Sequence, residues 1–247
     1  MDRVIYVAMS GAKQLLERQA AIAHNLANVS TAGYRADLRI ARSAPDTPAG
    51  ATTRSYALES DGGADLRPGP LQQTGRDLDL AIEGRGWIAL ALEDGSEAYT
   101  RSGSLRIGPN GLLQTASGHN VMGEGSPIAV PEAAQVTVGS DGTVTAHTQA
   151  GGRPVATPLG RIKLVAPESS ALVKGRDGLF RLRGGGSAPA EPTVRLAAGM
   201  LEGSNVNAVE ALVEMIAVAR GFEMHMKLLQ SAEQNERSAA QLLAPLR

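Results

Sequence analysis

The sequence predicts an α+β protein. N- and C-terminal helices pair in a coiled-coil-like inner domain, and an all-β outer domain is inserted between them. Three observations predict this. Both ends of the chain carry apolar residues spaced about 3.5 apart, the repeat of a narrow seam along a helix. The middle switches to alternation with a period of two, the signature of strands. Turn dipeptides punctuate that middle at close intervals, with no helical period between them. The expected division is residues 1–34 and 204–247 for the helical domain, 35–75 for an extended connector and 76–203 for the β-rich domain.

The first helix carries its seam on Ile5, Ala8, Ala12, Leu15, Gln19, Ile22, Leu26 and Val29, with Gln19 the one polar member. Asp2 is its expected N-cap, and Lys13, Gln14, Glu17 and Arg18 occupy the opposite face. The helix should end near Asn28, with Gly33 free to take a positive φ in the stop that follows. Residues 39–75 mix proline, glycine and small polar residues, which predicts an extended or poorly ordered connector with one strand around 54–58.

From Asp77 onward Leu78, Leu80 and Ile82 alternate with Asp77, Asp79 and Ala81, and Ile88, Leu90 and Leu92 continue the pattern. Further strands are expected at 99–101, 105–107, 112–115, 121–122, 128–130, 135–138, 143–146, 161–165, 179–182 and 194–196. Asp94-Gly95, Asn110-Gly111, Asp141-Gly142 and Asp177-Gly178 mark the turns. The whole reads as a distorted sandwich or barrel. The final helix opens at Asn207, an N-cap with Glu210 at the capping-box position. Its expected seam is Ala208, Leu212, Met215, Ala219, Phe222, Met226 and Leu229, with Pro245 closing the far end. One helix cannot bury such a seam alone. Two seams at opposite ends favour a coiled coil over the alternative of two amphipathic helices on an ordinary core.

Composition narrows the chemistry. The 247 residues include 43% hydrophobic and only 3% aromatic side chains, so the core is aliphatic. The net charge is −1, which gives no support for a nucleic-acid surface. There is no cysteine, and so no disulfide, thiolate metal site or cysteine nucleophile. The apolar start of the chain runs into Lys13, Glu17 and Arg18 and does not read as a signal peptide. No run approaches the roughly 18 apolar residues of a membrane span. Composition alone therefore points to a soluble cytoplasmic protein.

His24, His119, His147 and His225 stand at no metal-ligand spacing. Asp77 and Asp79 share one strand face, read as solvated. Gly84-Arg85-Gly86 lacks the third glycine and the following helix of a dinucleotide site, so it is a turn. Met215, Met224 and Met226 are core or interface positions. No nucleophile elbow or phosphate loop is present. Nothing here supports an enzyme or a cofactor. A carbohydrate-active β domain is a weak rival, because such sites favour aromatic platforms.

Three blocks carry a resemblance. The first is Ala27-Asn28-Val29-Ser30-Thr31-Ala32-Gly33-Tyr34. The second runs from Thr74 to Gly86, including Arg76-Asp77-Leu78-Asp79-Leu80, followed by Tyr99-Thr100-Arg101-Ser102-Gly103. The third is Leu201-Glu202-Gly203-Ser204-Asn205-Val206-Asn207. Together, and in this order, they resemble the flagellar rod and hook protein family. The opening Met1–Ala12 and the Ala219–Met224 stretch are most similar to its proximal-rod members, with the distal-rod members as the alternative. Gly221 departs from that pattern, since relatives usually hold a longer side chain there.

The resemblance implies a structural subunit that packs with copies of itself and with other rod proteins into a helical tube. Its partners would include the flagellar export apparatus, and it would have no nucleic acid and no direct membrane span. It would lie in the periplasmic basal body, exported without a cleaved signal, which replaces the cytoplasmic reading. Assembly contacts are expected at the seam residues and at Asn28, Thr31, Gly33, Tyr34, Asn205 and Asn207.

Overall fold

Helix α1 spans Asp2–Ala27 and helix α2 spans Ala208–Leu242, and the chain between them is mostly strand. This computed structural model describes residues 2–45, 55–132, 134–150 and 153–242. Side chains at 2–7, 41–45, 55–61, 149–150, 153–154, 236 and 239–242 lie outside the described residues, as does Pro245. The α+β class is the one the sequence predicts.

The chain divides into two compact units. One contains 1–27, 37–63 and 207–247; the other contains 28–36 and 64–206. The backbone therefore passes between them four times, at 27/28, 36/37, 63/64 and 206/207.

The stretch expected to be a plain connector, 35–75, is not one piece. Strand Asp37–Pro45 pairs with strand Ser55–Ala64 in the helical unit. Strand Leu71–Gln73 pairs antiparallel with Met200–Glu202 in the β unit. Leu38, Ile40 and Leu71 are all exposed, so none of the three adds buried apolar surface. Hydrophobic periodicity has little to detect in such strands.

The β unit is antiparallel throughout. Its largest sheet runs in the order Leu172–Lys174, Phe180–Leu182, Glu97–Thr100, Trp87–Ala91, Asn120–Val121, Leu113–Thr115, Leu105–Ile107. Leu164–Val165 also pairs with Trp87–Ala91. Gln135–Val138, Thr143–Ala150 and Arg153–Arg161 form a second, meandering sheet, and Arg195–Ala198 pairs with Leu80–Glu83. Ile128–Val130, expected as a strand, makes only an isolated bridge from Ala129 to Leu112. The expected turns are present, with φ of +79° at Gly95, +71° at Gly111, +90° at Gly142 and +79° at Gly178. In each, the preceding Asp or Asn accepts a backbone N–H two residues on.

Leu80, Ile88, Leu90, Leu105, Leu113 and Val121 are wholly buried and form the centre of the aliphatic core. A second cluster gathers Trp87, Tyr99 and Phe180, three of the chain's seven aromatics. Trp87 and Phe180 stack with ring centroids 4.4 Å apart, and the buried Tyr99 hydroxyl accepts the Ala188 N–H at 2.7 Å.

Candidate assembly surfaces

Helices α1 and α2 lie side by side and antiparallel. Gly11 faces His225, Leu15 faces Gly221, and Arg18 pairs with Glu214, so rising numbers on one helix meet falling numbers on the other. On α1 the facing side carries residues of the expected seam. Ala8, Ala12 and Ile22 are buried, and Leu15 and Leu26 are half-buried. Ile5 belongs to α1, but its side chain lies outside the described residues.

On α2 the positions of the expected seam divide. Met215, Phe222 and Leu229 are half-buried, whereas Leu212 is 48% exposed and Met226 39% exposed. Ala219 is half-buried beside the facing side. The positions that turn inward are Ala211, Val218 and His225, each one residue earlier. The observed seam is thus Ala208, Ala211, Met215, Val218, Phe222, His225 and Leu229, which shares Ala208, Met215, Phe222 and Leu229 with the expected one and differs at the three positions between them. The sequence could not separate the two choices, because Val209 to Val218 is apolar nearly all round the helix, a pattern that marks burial on more than one side.

The leftover apolar residues form a surface of their own. On α2 they are Val209 (71% exposed), Leu212, Val213 and Ile216; on α1 they are Met9 and Leu16, continued by exposed Ala20, Ala23 and Ala27. On α1 these residues directly follow seam positions 8, 15, 19, 22 and 26. On α2, Leu212, Ile216 and Met226 follow 211, 215 and 225. In an antiparallel pair, positions one residue past the seam fall on the same side. The two rows therefore make one uncovered apolar face along the helix pair.

At the start of α2, Asn207 caps as predicted: its Oδ1 accepts the N–H of Val209 at 3.1 Å and of Glu210 at 3.3 Å. At the end of α1, the Asn25 side chain exchanges two hydrogen bonds with the backbone of Asp37, and His24 Nδ1 lies 2.7 Å from the Asp37 carboxylate. These contacts hold the strand pair to the helix.

The other expected site residues, Asn28, Thr31, Gly33, Tyr34 and Asn205, belong to the β unit and not to the helical one. Hydrogen bonds explain why. Gly33, at φ +69°, donates its N–H to the Glu202 carbonyl at 2.7 Å, and its bare Cα lies against the backbone of Arg101 and Ser102. Thr31 closes a turn onto Asn28 through both backbone and side chain. Asn205 accepts from Ala36 N and donates to the carbonyls of Asp65 and Arg67, which ties three segments together. Tyr34 is buried under the Lys174 ammonium, 4.0 Å from the ring centroid, and Lys174 also donates to the Arg35 carbonyl at 2.7 Å.

At the centre lies a charge cluster that the sequence reading missed. Glu202, 1% exposed, accepts from Arg35 at 2.6 Å, from the Gly69 N–H at 2.9 Å and from Arg101 at 3.1 Å. Arg101 also donates to the Gly84 carbonyl at 2.6 Å and stands 5.5 Å over the Trp87 ring. Burial pulls the Arg101 guanidinium below its usual range, and the Glu202 charge opposes that shift. The second and third quoted blocks thus meet at one buried Arg–Glu–Arg cluster with Arg35, the residue directly after the first block. The available signal was Arg101 and Glu202 inside two of the blocks and Arg35 bordering the other. Asp79, expected on a solvated face, is also buried and bound by Arg76 at 2.6 Å.

Comparison with known proteins places the same blocks. Residues 5–35 match the family described as flagella basal body rod protein, 81–146 the flagellar hook protein FlgE/F/G D1 domain, and 197–242 the flagellar basal body rod FlgEFG protein C-terminal domain. The chain is 45% identical to the flagellar basal-body rod protein FlgF of Salmonella typhimurium and 46% identical to that of Escherichia coli, each over 99% of both chains. It is 33% identical to the flagellar basal-body rod protein FlgG of Bacillus subtilis, over 95% of this chain and 96% of the relative. With a start, middle and end that match the family in order, and full-length relatives at this identity, the chain belongs to the flagellar basal-body rod protein family.

Proposed function

We propose that this chain is a structural subunit of the proximal rod, packing with copies of itself and other rod proteins into the helical shaft that carries torque through the periplasm. The observation that carries this reading is the uncovered apolar face along α1 and α2. A seam buried within one chain leaves no reason for Val209, Leu212, Val213, Ile216, Met9 and Leu16 to be apolar on the other side. A neighbouring subunit supplies that reason. The antiparallel pairing and the mean spacing of the seam support a coiled-coil domain made of the terminal helices.

The 45% and 46% identity to the FlgF proteins of Salmonella typhimurium and Escherichia coli exceeds the 33% to the FlgG protein of Bacillus subtilis, which favours the proximal over the distal rod. The family is structural, and the chain is not an enzyme. Among the described residues no helix is long and apolar enough to cross a membrane. Delivery through the flagellar export apparatus, without a cleaved signal, completes the reading.

The test compares two positions on α2. Leu212→Asp changes a side chain that the isolated chain leaves half exposed, so its own fold should shift by less than about 1 kcal/mol. In cells it should abolish swimming, because a carboxylate in a subunit interface resists desolvation. Val218→Asp strikes the buried seam and should loosen the helix pair in the purified chain as well. Wild-type swimming by Leu212→Asp would remove the uncovered face from the assembly.

A further inference from the structure

Gly11 and Gly221 each face a large side chain of the other helix. A Cβ built on Gly11 would lie 2.5 Å from Cε1 of His225 and 3.1 Å from each ring nitrogen. A Cβ on Gly221 would lie 3.2 Å from Leu15 Cδ1. Leu15 follows Gly11 by four residues, and His225 follows Gly221 by four. Each helix therefore carries a notch and, one turn later on the same face, a projecting side chain. Helix formation does not ask for either glycine, since both sit inside helices where alanine is the better former. Polar bonding does not account for the histidine either. Its Nδ1 is buried and has no hydrogen-bond partner, and among the described residues no carboxylate pairs with the ring. The ring is held by shape.

We propose that Gly11, Leu15, Gly221 and His225 form a reciprocal clasp that fixes the direction and register of α1 on α2. Running the helices antiparallel puts each projecting side chain into the opposite notch. Running them parallel would set glycine beside glycine and Leu15 against the imidazole, leaving a void next to a clash. A slip of about one turn brings the ring against Leu15 in one direction and against Ala8 in the other, and neither position offers a notch. The clasp thus selects one arrangement among several that the apolar seam alone would accept. It also fixes how the rows at Met9–Ala27 and Val209–Ile216 align, and this last consequence rests on the assembly reading above.

The chain has no cysteine. Cysteines introduced at the exposed positions Lys13 and Glu223 can therefore carry spin labels on the full-length protein. Double electron–electron resonance should give one narrow distance. Adding Gly11→Ala should broaden or split it, with a second population displaced by about 5 Å, one helical turn. Adding His225→Ala to that variant should restore the single distance, because the shortened side chain no longer needs the notch. Helix propensity alone predicts the opposite sign for Gly11→Ala. An unchanged distance in Gly11→Ala, or a failure of His225→Ala to restore it, overturns the clasp. Swimming assays on the unlabelled variants read the second half. A distance that shifts and recovers while every variant swims normally keeps the clasp and overturns its role in assembly.

Discussion

Removing the carboxylate at the junction tests whether the three blocks are joined by charge or by the surrounding packing. Glu202→Ala would leave Arg35, whose side chain is fully buried, without the one acceptor it bonds among the described residues, since its Nε and Nη1 already lack one. Arg101 would keep the Gly84 carbonyl and a long contact to Ile82, and the Gly69 N–H would lose its partner. Breaking a buried ion pair from one side costs about 3–5 kcal/mol. Two cations share this carboxylate, so the upper half of that range applies. For a unit of this size each kcal/mol lowers the melting temperature by about 2–4 °C, which gives a loss on the order of 10 °C. Thermal unfolding followed by the β-sheet circular dichroism signal reads it. The cause is separable from the loss of side-chain volume. Adding Arg35→Met to Glu202→Ala removes the stranded cation, and should recover about half of the lost stability. A melting temperature within about 2 °C of the parent for Glu202→Ala would refute the argument. So would a further fall on adding Arg35→Met.

Gly33→Ala should destabilise the β unit by about 1–3 kcal/mol, since it combines a positive φ with a Cβ pressed on the Arg101 backbone; a melt like that of the parent would count against the close approach. The β unit should also lose stability in acid. Hydrogen bonds from Arg67 to Asp65 and from Arg181 to Asp177 hold both carboxyls below their usual value of 3.8. A depressed native value means stabilisation present above the unfolded pKa and lost as pH falls through the folded one. Denaturant midpoints should therefore hold steady down to about pH 5 and fall below about pH 4. Asp177→Asn should flatten part of that fall.

Much of this architecture was legible because it rests on local chemistry. The Asx turns at 94, 110, 141 and 177, the Asn207 cap and the seam of α1 each follow from a few neighbouring residues. The α2 seam was legible in period and at Ala208, Met215, Phe222 and Leu229 but not at the positions between them, because Val209, Leu212, Val213 and Ile216 blur the boundary between inside and outside. Strands Asp37–Pro45, Ser55–Ala64 and Leu71–Gln73 carry little apolar alternation, and their pairing is a matter of backbone bonds between distant segments. The Arg35–Glu202–Arg101 cluster joins residues up to 167 positions apart, so no window along the chain contains it. Gly221 was visible as a departure from the family's pattern. Its partner, Leu15, became visible only when the helices were set side by side.

The four backbone passages at 27/28, 36/37, 63/64 and 206/207 bear on mechanics. A domain inserted once into another hangs on two covalent links. Here a pull that separates the units is shared by four parallel peptide strands. The three segments of the helical unit are joined to one another only by packing, so all four links share the load for as long as α1, the 37–63 strands and α2 stay packed together. The arrangement is also redundant. A proteolytic nick at any single passage leaves three intact cables, so a rod subunit cut once between its units stays in one mechanical piece.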